Sequence, residues 1–379
     1  MSDMTLGRRC FMQGLAGSLL IGLGLRAAAA RGAAGPLYVA CRIDEDGRYF
    51  TTGFCADGSR RFDLPLPGRG HDLALRPGSP ECVVFARRPG TFAVVIDVDR
   101  GVVLRRIDTA PGRHFYGHGS FTADGRHLLS SENDYGAGQG VVGVRDATDD
   151  YRLVGELPAH GVGPHEVVLM PDGRTLAVAN GGIRTHPDHD RVPLNLETMQ
   201  PSLTLVEVAS GRQEGAVQPP AAMHQLGIRH AAVNARGLVA VAMQYEGSKQ
   251  DRVPLVALAD GEGLRFLEAP ADILRRMRQY TGAIAFDQSG ELLAVSSPRG
   301  SLFTFWDAAG GRLIDHLTVF DGCGLCAAEE PGAFRVTGGN GEVIRVEPRT
   351  RGRHRLTVEG AGTPWDNHLR PAARTQSMI

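Results

Sequence analysis

Five histidines recur at one position of an internal repeat: His71, His118, His165, His230 and His368. Two further copies carry Ala283 and Cys326 there, and the successive spacings are 47, 47, 65, 53, 43 and 42 residues. The chain has only 13 histidines in 379 residues, so five in seven equivalent places is far from random placement. Imidazoles brought together must stay neutral or repel, and a metal ion uses their lone pairs. Several imidazoles with few obligatory carboxylates suit copper, iron, zinc or nickel rather than calcium or magnesium. Cys326 joins the five as a sixth candidate ligand, with copper or iron favoured over zinc. The structural alternative is a duplicated histidine that only hydrogen-bonds its neighbouring repeat.

More polar residues should gather near the same end of the repeats. Glu132, Asn180 and Glu246 close the second segment of their copies. His114 and His224 lie in the connections that enter the first segments. An insertion from Gly182 to Gln200 carries RTHPDHDR, which offers His186, His189 and Asp190 as a lid. A loop of that length usually has a function.

What must position these groups is a ring of strands. Each full copy, such as GPHEVVLMPDGRTLAVANGG from Gly163, is an alternating segment, a glycine-bearing turn and a second alternating segment. That pattern is a β-hairpin. Segments such as TFAVVIDVDRGVVLRRID add two outer strands. A period of 40–50 residues is that of a four-stranded propeller blade. Fifty glycines and 22 prolines fit many short strands joined by tight turns. The fold expected is all-β, a seven-bladed β-propeller over residues 31–379, closed by the N-terminal strands around Leu37–Ile43 and Tyr49–Cys55 joining the C-terminal one. One helical turn is expected between Asp272 and Gln279. In a propeller the first strand of each blade lines the channel, so all seven repeat positions fall at one mouth.

Composition and missing motifs narrow the chemistry. With 41 basic and 42 acidic residues and no basic stripe, nucleic acid is not an expected partner. No GxSxG, GxxxxGK[ST], CxxCH or HExxH occurs, which leaves no hydrolase elbow, phosphate loop, covalent haem or zincin helix. Beyond Cys10 there are five cysteines. Cys41 and Cys55 fall on adjacent strands and could be bridged, while Cys323 and Cys326 form CGLC.

Residues 1–30 read as an export signal: Arg8, Arg9 and Phe11 precede an apolar run to Leu25, then Ala27–Ala30. The RRxF pattern implies the twin-arginine route to the periplasm, and no segment is long enough for a stable membrane span.

The mature chain resembles an uncharacterised family of exported bacterial proteins, a domain of unknown function. The resemblance rests on the leader with YGHGSFTADGRHLLSSENDY, GVGPHEVVLMPDGRTLAVANGGIRTHPD and LGIRHAAV. It implies a periplasmic propeller encoded near imelysin-type iron-uptake proteins and di-haem peroxidase-like proteins, hence a role in iron or copper handling. It transfers no catalytic residue. Two rival readings remain: a lactonase- or dehydrogenase-like enzyme with Glu132 or Glu246 as general base, and a protein-interaction scaffold.

Overall fold

Segments such as Glu81–Ala86 and Thr175–Asn180 are short apolar runs, which suits strands buried on both faces. Their hairpins are built locally. Asp172 Oδ1 accepts the backbone N–H groups of Arg174 and Thr175, and Gly173 takes φ +68°, which glycine adopts without steric cost. In other blades Asp124 Oδ1 likewise accepts from the Arg126 N–H and Asp287 Oδ2 from the Ser289 N–H, each two residues on.

The computed structural model describes residues 35–189, 191–360, 362 and 364–372. The leader expected over 1–30 and Asp190 of the insertion lie outside the described residues. Among the described residues, seven four-stranded sheets form, each a meander of hydrogen-bonded neighbours. This is the seven-bladed propeller. The innermost strands are Gly70–Leu75, Arg113–Phe121, Pro164–Leu169, Leu226–Val233, Ala283–Phe286, Leu325–Ala327 and Trp365–Ala372. Each contains one of the seven repeat positions.

The ring closes as expected. Leu37–Ile43 pairs with Trp365–Ala372, placing Leu37 opposite Ala372 and Val39 opposite Arg370. Tyr49–Cys55 and Arg60–Pro65 complete that blade. Joining both ends of the chain in one sheet leaves no open strand edge at the seam. The expected helical turn is a short helix, Ala271–Met277, which buries Ile273 and Met277.

Burial is graded across each blade. Second strands are almost wholly buried, while outer strands such as Arg152–Pro158 are largely exposed. Blades stick through apolar side chains between their faces, as where Phe85 meets Phe115 edge-on with ring centroids 5.5 Å apart. Each such fully buried side chain contributes about 1.5–3 kcal/mol. Among the described residues no helix is long and apolar enough to cross a membrane.

All five described cysteines are buried and free. The bridge between Cys41 and Cys55 does not form, because register pairs Cys41 with Thr51 and Cys55 with Leu37. Four residue steps separate them, about 13 Å along the strand, beyond disulfide reach.

Candidate metal centre

The histidine strands share a local distortion. Their pairing to the second strand skips between Gly70 and Leu73, Phe115 and Gly119, Pro164 and Glu166, and Ile228 and His230. The closing strand skips likewise, pairing Leu369 with Ala40 and then Trp365 with Arg42. The strands bearing Ala283 and Cys326 keep unbroken register. Such bulges re-aim side chains that regular pleating would send to alternate faces. Here they turn the imidazoles to the axis.

His71, His118, His165, His230 and His368 meet there, each less than one-tenth exposed. His118 is the hub. Its ring centroid lies 4.9 Å from His71, 4.7 Å from His165, 5.3 Å from His230 and 4.8 Å from His368. Gly117 makes room: at φ +104°, a Cβ there would sit 2.5 Å from His71 Cδ2. Two trios, His71–His118–His368 and His118–His165–His230, each bring one nitrogen per ring within 4.8 Å of the others. An ion with bonds near 2 Å needs them about 3–4 Å apart, a gap closed by small ring rotations.

Carboxylates buttress the rings. His118 Nδ1 lies 2.9 Å from Asp72 Oδ2, and His230 Nδ1 lies 3.0 Å from Glu166 Oε2. Each carboxylate thus holds the histidine of the following histidine-bearing blade. A neutral imidazole that donates from Nδ1 keeps its lone pair on Nε2, as in carboxylate–histidine–metal triads. Arg370 ties the two carboxylates together, 2.5 Å from Asp72 Oδ2 and 3.0 Å from Glu166 Oε1. Asp366 lies 3.7 Å from His71 Nδ1 and accepts a 2.5 Å bond from Arg69.

Protonation favours ligation. Burial, ahead of the opposing pull of the Asp366 carboxylate, pushes His71 down to about 3. Burial also lowers His165 and His368 well below the ordinary value, and lowers His230. Burial alone would raise Asp72, but the Arg370 charge, His368 and the His118 bond hold it well below the usual range. At neutral pH His71, His165, His230 and His368 are therefore neutral, beside an ionised Asp72. Four of its nitrogens are buried without a hydrogen-bond partner: His71 Nδ1, His118 Nε2, His165 Nδ1 and His368 Nε2. Orphaned polar atoms at such density are rare in folded proteins and call for a ligand.

The other sequence candidates lie elsewhere. Cys326 sits in an apolar cluster with Tyr38, Phe54, Trp365 and Leu369, and none of the metal-capable trios includes it. Burial pushes its thiol up to about 12, opposite to what a thiolate ligand needs. His114 is buried between the Phe115 carbonyl and Asn133. Asn180 binds the Ala159 carbonyl, Ser202 and Thr204. His186 and His189 pair with ring centroids 6.2 Å apart beside Tyr135, in a separate cleft of about 300 Å³. His224 caps a short 3-10 turn, and Glu246 lies 3.8 Å from Arg229 at another cleft.

Glu132 is not at the channel mouth. It is fully buried, 2.5 Å from Arg145 Nη1 and 2.7 Å from Ser130 Oγ. Burial closes it to a substrate, and through Oε1 it neutralises the buried Arg145 guanidinium. Glu132→Ala is expected to destabilise the fold by about 3–5 kcal/mol, because it strands Arg145 in the interior. Urea unfolding checks this, and a loss within about 0.5 kcal/mol would refute it.

Sequence reading missed Asp72, Glu166, Asp366 and Arg370. Their signal was present in the strings HD, HE and DNHLR around three of the histidines. Regular alternation sends neighbours to opposite faces, and only the bulges bring both to the axis.

No curated protein matches the chain. Among solved structures, Kuenenia stuttgartiensis hydrazine synthase superposes with a TM-score of 0.58, covering 88% of this chain and 99% of that chain at 14% identity. At that identity the likeness speaks for the fold alone. The family resemblance carried by the sequence motifs is borne out, since the family described as "Protein of unknown function (DUF1513)" matches residues 64–372, and the chain belongs to it.

Proposed function

We propose that this propeller binds a copper or iron ion through imidazoles of the axial cluster, drawn from His71, His118, His165, His230 and His368. The observation that carries the reading is four buried ring nitrogens without hydrogen-bond partners, on three rings packed against His118 and on His118 itself. Because both trios need His118, and Asp72 engages its Nδ1, one ion at a time uses its free Nε2. An all-imidazole set without thiolate can hold copper, iron or zinc, and the periplasmic iron or copper handling that the family resemblance implies favours the first two. The paired arginines beside the leader's apolar run would deliver the protein to the periplasm, with iron-uptake or peroxidase-like proteins as partners there. The work is metal binding and transfer, or redox chemistry on the bound ion.

Elemental analysis by plasma mass spectrometry tests this on protein exported through its own leader and never passed over a nickel column. About one copper or iron per chain is expected. No bound metal, even after anaerobic reconstitution with each ion, would overturn the reading.

A further inference from the structure

A second feature sits directly above the histidines, at the mouth where the inner strands begin. A cleft of about 530 Å³ opens there. Its walls include Arg229 and Asn367, the chain neighbours of His230 and His368. Six arginines line it: Arg69, Arg87, Arg88, Arg191, Arg229 and Arg299. Among the described residues two carboxylates share the lining with them, Glu246 and Asp321, and Asp366 lies 3.9 Å from Arg87 Nη1. Asp366, just below, already binds Arg69.

Two of these cations are unsatisfied in a way that solvated arginines are not. Arg229 is 3% exposed, and its Nε has no hydrogen-bond partner. Its nearest carboxylate, Glu246, is 3.8 Å away, beyond a good hydrogen bond. Arg88 has a buried Nη1 without a partner. Burial, and then the charge of Arg229, lowers its pKa to about 10. Burying like charges side by side is costly unless an anion is held between them.

The shape selects among anions. Arg299 packs on the Tyr280 ring at 4.1 Å, and Ile183, Pro193 and Pro298 supply apolar wall for a carbon skeleton. Planar guanidinium forks match carboxylates bidentately. We propose that this mouth binds a small organic polycarboxylate over the histidine cluster. The inference goes beyond metal binding and stands without it, because the arginines, not an ion, hold the ligand.

Isothermal titration calorimetry with citrate tests it on full-length exported protein, stripped of metal with a neutral chelator. Citrate should bind, weaken as salt is raised, and outcompete inorganic phosphate by at least about tenfold. Arg88→Gln should weaken citrate about tenfold to hundredfold, the loss of a charged hydrogen bond. The exposed Arg299→Gln variant, which should fold without difficulty, should weaken it in the same direction. No binding at millimolar citrate, affinity unchanged in both variants, or phosphate bound as tightly as citrate would each overturn the proposal.

Discussion

If the axial cluster holds the ion, His118→Ala is expected to abolish near-stoichiometric metal loading and to weaken the affinity of what remains by at least about hundredfold. The size follows from geometry. His118 is the only imidazole common to both trios, so its removal breaks either arrangement rather than leaving the other intact. Removing a supporting carboxylate alone typically costs 10–100-fold in metal affinity, and a ligand costs more. Asp72→Asn should therefore fall between wild type and His118→Ala, since the amide oxygen can still accept from Nδ1 but carries no charge. Cys326→Ala is the matched control. It removes a thiol that packs against Trp365 and Leu369, and it should leave loading unchanged. Because truncating the fully buried His118 opens a cavity and takes from Asp72 Oδ2 its imidazole partner, circular dichroism and urea unfolding of the metal-free variants must first establish that both are folded. Competition titration against a chromophoric chelator reads the affinities. Wild-type affinity in His118→Ala would remove the imidazole cluster from consideration as the metal site.

The parts of this molecule that sequence reading reached are those written locally. A turn such as Pro171-Asp172-Gly173 carries its own hydrogen bonds, so repeats of it mark blades. Equivalent histidines could be aligned because the turns fixed the frame, and the propeller then dictated that they converge. What stayed hidden depends on departures from regular geometry or on contacts between blades. The carboxylate of Asp72 serves His118, 46 residues away, and that of Glu166 serves His230, 64 residues away. In the arginine mouth only Arg229 and Asn367 stand beside repeat histidines, and Arg69, Arg87, Arg88 and Arg299 lie outside the strands. Cys326 shows the converse: its strand keeps regular register, so repeat equivalence with the histidines did not carry its side chain to the axis.

The metal-free protein should lose stability steeply as pH falls from 7 towards 4. In the unfolded chain each histidine titrates near 6.5. In the folded state burial holds His71 down to about 3, and lowers His165, His230 and His368 too. Above pH 6.5 both states are deprotonated, so these groups leave stability independent of pH. Below it the unfolded state binds protons that the folded state refuses, and stability drops by about 1.4 kcal/mol per pH unit for each such histidine. At pH 5 His71 alone has cost about 2 kcal/mol by this slope. His165, His230 and His368, lowered in the same direction, add to that loss, set against the about 5–15 kcal/mol of an ordinary domain. Asp72, Glu166 and Asp366 add a second loss at lower pH. Their carboxyls are held down in the folded state, and their contribution, present above about pH 4, disappears as pH falls through their folded values. Urea unfolding at pH 7 and 5 measures the first step, with chelator present throughout. A His71→Gln/His165→Gln variant should show the shallower slope of a chain with two fewer refused protons. Equal urea midpoints at the two pH values would mean that the rings accept protons in the folded state. The neutral, lone-pair-bearing cluster on which metal binding depends would then not exist.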